Sequence, residues 1–284
     1  MARWLVPGAV ALAACRGQPT PGASPPPPPP DATAPVEPPS ALPSSSAAPA
    51  LAPLPGFFEA LPVAGHPDAW VSLPTGATSR RPVVVVIHGA GDRPDWQCGG
   101  WRRATSGFPF IVCPRGRVAP GEGVTPDDVR YTLPGGKPLL AYVDGALAAL
   151  ASRYPGYVDP STPLLAGFSL GSYAILQLAV DDPTRFPRIA LIEGVTGGLD
   201  DARARAFLHG GGVRVLFGCG QVGCRVAAKT AAARLSGRDH LDAHVAFATV
   251  GHTFDPPLED AVRAELPWLV DGDTRWAFTA ADGG

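Results

Sequence analysis

The 284-residue chain has no surplus of charge: 23 Lys and Arg stand against 25 Asp and Glu, a formal net charge of −2. Loss of residues 1–14 would remove only Arg3 and leave 22 basic residues against 25 acidic ones, or −3. Neither value supplies the basic footprint that nucleic acid requires, and no nucleic-acid partner is expected. No internal repeat is visible. The segment 16–55 has no aromatic residue at all but holds 15 prolines, six of them in the run Pro25 to Pro30. Such a segment cannot bury enough apolar surface to fold, and its stiffness makes it a spacer with an extended reach on the order of 120 Å at ~3.1 Å per residue. The five cysteines include no C-x-x-C pair, which argues against a zinc site. No cofactor is called for.

At the front, one basic residue, Arg3, precedes an apolar stretch from Trp4 to Ala11. It is far too short to span a bilayer as a helix. Leu12-Ala13-Ala14-Cys15 resembles the lipobox of bacterial lipoprotein signal peptides. In that class a peptidase cuts before the cysteine, whose sulfur then carries the lipid. The resemblance implies a signal peptide over 1–14 and a lipidated Cys15 at the head of a disordered linker over 15–55. The protein would then be exported and held in the bacterial cell envelope by a membrane anchor. Ordinary secretion with cleavage after Ala14, or an undistinguished N-terminus, are the alternatives. Residues 56–284 suit one domain with a full core.

Within that region the pattern alternates. Strands are expected at 82–87, 108–113, 163–166, 188–193, 213–217 and 243–250, and helices near 96–106, 138–152, 173–179, 199–209, 224–236 and 257–270. Such alternation predicts an α/β fold, a mostly parallel sheet flanked by helices on both faces. The strand Pro82-Val83-Val84-Val85-Val86-Ile87 is unbroken and mostly β-branched, as suits a central parallel strand buried on both sides.

Gly167-Phe168-Ser169-Leu170-Gly171 stands between the strand-like run 163–166 and the helix-like run 173–179. A serine on so tight a turn is forced into strained dihedrals that push its hydroxyl into the open, and the flanking glycines keep Cβ atoms from colliding across it. Upstream, the strand 82–87 ends in His88-Gly89-Ala90-Gly91-Asp92. Downstream, the strand 243–250 ends in Gly251-His252-Thr253-Phe254. These three motifs, in the order serine then histidine, resemble those of the α/β-hydrolases over about residues 83–269. The resemblance implies Ser169 as nucleophile, His252 as general base, and the backbone amides of Ala90 and Leu170 as oxyanion donors. His88 is expected to shape the oxyanion turn rather than to do chemistry; His252 also fits a loop histidine.

The acid departs from the family pattern. The family usually places an Asp after the penultimate strand, but here that loop is Gly218-Cys219-Gly220-Gln221-Val222-Gly223-Cys224, without a carboxylate. Glu193, closing the preceding strand, is the leading candidate, with a solvated strand-end charge as its plainer explanation. Asp200 and Asp201 follow, though they sit where a helix would start and capping explains them. Gln221 could serve as a neutral partner for the histidine.

With Cys15 assigned to the lipid, Cys98, Cys113, Cys219 and Cys224 form an even set expected to be oxidised in an exported protein. Three pairings are open; sequence locality suggests Cys98–Cys113 and Cys219–Cys224. His240, Asp242 and His244 would share a face if extended, but loop and strand-entry residues of this kind are more often solvated, and no metal is assigned. Only Gly194 to Gly198 separates the strand ending at Glu193 from the next helix, too little for an inserted cap. The longest irregular stretch, 115–138, with Asp127-Asp128 in it, belongs at the rim of the site. The sum is a serine hydrolase acting on a carboxylic ester of unknown size. A peptidase or acyltransferase using the same residues, or a catalytically silent binding module of the same fold, are the alternatives. Oligomeric state is left open.

Overall fold

The computed structural model describes residues 49–120, 125 and 128–276. The expected signal peptide, Cys15, the linker as far as residue 48 and Asp127 lie outside the described residues. The strands are β1 (Glu59–Leu61), β2 (Ala69–Ser72), β3 (Arg81–Ile87), β4 (Phe110–Pro114), β5 (Arg117–Val118), β6 (Tyr131–Thr132), β7 (Val158–Phe168), β8 (Arg188–Ile192), β9 (Arg214–Cys219) and β10 (Asp242–Phe247). The α-helices are α1 (Pro94–Ala104), α2 (Gly136–Arg153), α3 (Leu170–Asp181), α4 (Asp201–His209), α5 (Val222–Arg234) and α6 (Pro256–Val270).

Eight strands form one sheet in the order β1-β2-β4-β3-β7-β8-β9-β10. Every pair from β4 to β10 is parallel, and β2 runs antiparallel to both β1 and β4. This is the expected α/β class. Side chains alternate between two cores, Val83, Val85 and Ile87 facing one and Val84 and Val86 the other. All five are at most 1 % exposed, and each buried aliphatic side chain of this size contributes roughly 1.5–3 kcal/mol. Helices α1 and α6 cover the second face, with Trp101, Leu258, Val262 and Leu266 in its core, while α2, α3 and α5 supply the first with residues such as Leu139, Ile175 and Ala228.

Three features were not in the sequence reading. The edge pair β1 and β2 precedes the first expected strand. Strand β4 inserts beside β3 on the side away from β7, so the sheet does not follow chain order there. The stretch 115–138 is not wholly irregular, since β5 and β6 form a short antiparallel ribbon within it. Tyr131 also donates its amide to Asp92 O (3.0 Å), which stitches the ribbon to the turn after β3.

Both disulfides follow sequence locality: Cys98–Cys113 joins α1 to β4, and Cys219–Cys224 ties the end of β9 to the first turn of α5. The residues between β8 and α4 are only 193–200, and no cap domain lies there. Among the described residues, no helix is long and apolar enough to cross a membrane.

Candidate active site

In a parallel sheet the strand ends point the same way, so residues just past β3, β7, β8 and β10 gather on one rim. Ser169 lies between β7 and α3 with φ 50° and ψ −116°. A non-glycine residue in that region is strained by about 1–3 kcal/mol and persists only where its surroundings hold it. Here the Ser169 amide donates to Ile192 O (2.8 Å), and its carbonyl accepts from the amide of Ser172 (3.0 Å). The two glycines of the motif are steric requirements. A Cβ on Gly171 would sit 2.1 Å from Ile87 O, and one on Gly167 would sit 2.6 Å from the Gly171 carbonyl carbon.

Glu193 is the first residue past β8, also with a positive φ, of 52°. Its side chain is 1 % exposed whereas that of His252 is 47 % exposed. A carboxylate so buried needs compensation, and three donors provide it. Oε1 accepts the amides of Gly220 and Gln221 (2.5 and 3.0 Å), and Oε2 lies 2.9 Å from His252 Nδ1. The loop that has no carboxylate of its own therefore presents its backbone dipoles to one from the neighbouring strand. Gln221 is also the residue capping α5, so the helix dipole reinforces the same charge. The disulfide Cys219–Cys224 closes this loop on itself.

The other ring nitrogen of His252, Nε2, lies 3.0 Å from Ser169 Oγ. The turn that carries the ring is gripped by the loop after β9: the amides of Val250 and Gly251 both donate to Gly220 O (3.1 Å each). Strand β10 accordingly stops at Phe247, three residues before the expected end. The ring rests beside Phe168, with centroids 5.1 Å apart.

The competing acids are engaged elsewhere. Asp200 caps α4, accepting the amide of Arg203 (2.9 Å), and Asp201 is ion-paired with Arg234. Gln221 contributes its amide rather than the side chain considered for it. His244 is bonded to Glu265 (2.8 Å) and stacked on Trp268. Among the described residues, the sole metal-compatible cluster is Glu193, Cys219 and Cys224, and its two sulfurs are joined in the disulfide. His240, Asp242 and His244 are not brought together as a ligand set.

Strands β3 and β7 pair Ile87 with Gly167, so Ala90 and Leu170 each stand three residues beyond a register pair. Leu170 opens α3, where an amide has no intrahelical acceptor, and both residues line a cleft of about 340 Å³. His88 is buried, with Nδ1 2.8 Å from Gly89 O and Nε2 2.9 Å from Arg115 O. Arg115 is held in turn by the hydrogen bond that its backbone N–H donates to the Tyr142 hydroxyl (3.1 Å), whose pKa burial pushes up.

Sequence reasoning missed the residue that organises this turn. Asp92 Oδ2 accepts the Gly89 amide (3.3 Å) and Gln97 Nε2 (2.9 Å), and Oδ1 accepts the Arg93 amide (2.7 Å). The Gly91-Asp92 pair in the motif is a local turn signal that could have found Asp92; Gln97 carried none.

No family model matches the chain, and no curated protein does. Solved structures do show likeness. One is an S-formylglutathione hydrolase from Agrobacterium tumefaciens (17 % identity, TM-score 0.49, 71 % of this chain and 88 % of that one). Another is a fluorophosphonate-binding serine hydrolase of Staphylococcus aureus (11 %, TM-score 0.49, 72 % and 92 %). A third is described as a ferulic acid esterase (16 %, TM-score 0.49, 71 % and 91 %). At such identities the likeness concerns the fold, and what the site can do follows from its own geometry.

Proposed function

We propose that this protein is a serine hydrolase that cleaves a carboxylic ester through an acyl-enzyme. The observation that carries the reading is the relay Ser169 Oγ, His252, Glu193, with opposite ring nitrogens 3.0 Å from the hydroxyl and 2.9 Å from the carboxylate. A carboxylate at Nδ1 holds the proton there and leaves the Nε2 lone pair facing the serine.

His252 Nε2 takes the hydroxyl proton as Oγ attacks the ester carbonyl. Negative charge moves onto the carbonyl oxygen, where the amides of Ala90 and Leu170 receive it. Collapse breaks the bond to the leaving oxygen, which takes the proton from Nε2 and departs as an alcohol. A water then attacks the acyl-enzyme by the same exchange, releasing the acid and restoring Ser169. Glu193 stabilises the imidazolium of each half-reaction without itself being protonated. The silent-module alternative drew on the missing acid after β9, and the carboxylate of Glu193, from the end of β8 and 2.9 Å from His252 Nδ1, favours the hydrolase reading over it. A peptidase or acyltransferase would use the same groups.

The two disulfides suit an oxidising compartment, and we place the protein in the bacterial cell envelope on a Cys15 anchor, its domain carried on the Pro-rich linker. The test of the chemistry is labelling by a fluorophosphonate, which should modify Ser169 in the wild type and nothing in Ser169→Ala. Labelling that survives in Ser169→Ala, or its absence in a folded wild type, would refute the assignment.

A further inference from the structure

Two clefts are lined by the residues flanking Ser169, one by Phe168 and the other by Leu170, and their walls differ in chemistry. One, of about 870 Å³, has His252 and Phe168 at its edge and includes Phe57, Phe58, Trp96 and Phe254. The other, of about 340 Å³, holds Ala90 and Leu170 together with Leu133, Pro134 and Tyr173.

Stereochemistry decides which part of an ester each receives. The tetrahedral carbon bears Oγ, the oxyanion, the acyl chain and the leaving oxygen. The oxyanion points at the amides of Ala90 and Leu170, while the leaving oxygen must come within hydrogen-bond reach of His252 Nε2, its proton donor. The leaving group therefore extends along the His252 side, and the acyl chain lies along the cleft that Ala90 and Leu170 border.

We propose that the larger cleft is a leaving-group subsite for an uncharged aromatic alcohol, and that the smaller one takes a compact apolar acyl group. This rests on the ester-hydrolase reading above. Aromatic side chains dominate the apolar wall of the larger cleft, and two are left in water, Trp96 at 50 % and Phe57 at 71 % exposure. Exposed rings beside a reactive centre are surfaces that a flat apolar ligand covers. Trp96 is held in place by the guanidiniums of Arg130 and Arg93, 4.6 and 5.5 Å from its ring centroid. Most of the charges along this cleft are committed, and the exposed Asp255 adds a carboxylate that makes no side-chain cap bond. Arg103 makes a bidentate pair with Glu259 (2.6 Å for each bond), Arg102 donates to Ser72, Leu73 and Thr75, and Asp95 pairs with Arg93. An anionic leaving group would meet arginines already bonded and the Asp255 carboxylate, whereas a neutral ring meets rings.

The test compares 2-naphthyl acetate with ethyl acetate. Both pass through one acetyl-enzyme, so a leaving-group subsite acts on kcat/KM. Trp96→Ala and Phe57→Ala should each cut the naphthyl-to-ethyl ratio of kcat/KM by about tenfold, the size of one aromatic contact. Tyr173→Ala should leave that ratio in place and change instead the preference between 2-naphthyl acetate and 2-naphthyl hexanoate. 2-Naphthol should inhibit the wild type competitively, and more weakly once Trp96 is removed. Equal losses on both acetates in the Trp96 and Phe57 variants, or a naphthyl-to-ethyl ratio governed by Tyr173, would overturn the subsite assignment while the hydrolase reading stands. A wild type that hydrolyses no ester and resists the fluorophosphonate would overturn both.

Discussion

Replacing Glu193 with Gln tests the relay with almost no change in shape. The amides of Gly220 and Gln221 donate to Oε1, so the carbonyl oxygen of the new amide must take that place. Its NH2 group is then forced into the position of Oε2, 2.9 Å from His252 Nδ1. A donor there makes Nδ1 an acceptor and drives the ring proton to Nε2, which can no longer receive the Ser169 hydroxyl proton. The expected loss is ~10⁴ in kcat, about 5.4 kcal/mol of transition-state stabilisation. Folding should suffer much less. Two charge-assisted bonds become neutral, worth about 1–2 kcal/mol, and a melting temperature lower by roughly 2–8 °C follows. Steady-state hydrolysis of an aryl acetate, with a thermal melt alongside, measures both. A variant that keeps kcat within about tenfold of wild type, less than 1.4 kcal/mol, would refute the tautomer argument, and Asp200→Asn should change neither quantity.

Opening the Cys219–Cys224 bond with Cys219→Ser/Cys224→Ser should cost ~2 kcal/mol of stability by loop entropy. It should also lower kcat at temperatures where the variant remains folded, because the freed loop carries the two amides that hold Glu193. Opening Cys98–Cys113 in the same way should cost ~3 kcal/mol with little change in kcat. For Glu59, Asp159 and Asp273, burial alone would raise the carboxyl pKa, but bonds to arginine, joined by a hydroxyl for Glu59 and Asp159, hold each below its ordinary value. A depressed folded pKa means that the unfolded chain binds protons first. Stability should thus be full above the ordinary carboxylate range near pH 4 and fall as pH drops through it. Chemical denaturation between pH 6 and 3 reads the slope, which Arg275→Met should flatten. Cys15→Ala should release the protein from membranes or block its processing, and an unchanged membrane fraction and mobility would rule out the lipid anchor.

What could be read from the sequence divides along a physical line. Strand β3 was legible because burial on both faces demands an unbroken apolar run, and the serine turn because its glycines are sterically compelled. Strands β1 and β2 were not. They are short, antiparallel and at the sheet edge, where pairing alone defines them. The place of β4 beside β3 is a matter of topology that no local pattern encodes. Glu193 was reached through an absence, the loop 218–224 without an acid, since a carboxylate partner for His252 has to come from some strand end on the same rim. Asp92 and Gln97 stayed hidden. Their effect arises where a turn and a helix converge, and neither residue type is unusual in its own segment.

The siting of the acid on β8 also has a consequence in time. Ser169 and Glu193 belong to one strand-helix-strand segment, β7-α3-β8, whereas His252 follows Glu193 by 59 residues. At about 5–20 residues per second of synthesis, the histidine leaves the ribosome roughly 3–12 s after the acid. The Ser169 turn and the end of β8 can pair, through the Ser169 amide and Ile192 O, before the histidine proposed to activate the serine has been made. The backbone donors that cradle the carboxylate, from Gly220 and Gln221, come between Glu193 and His252 in the chain. On the proposed mechanism, competence would arrive with the last strand and its turn, and a chain ending before residue 252 would lack the base for Ser169.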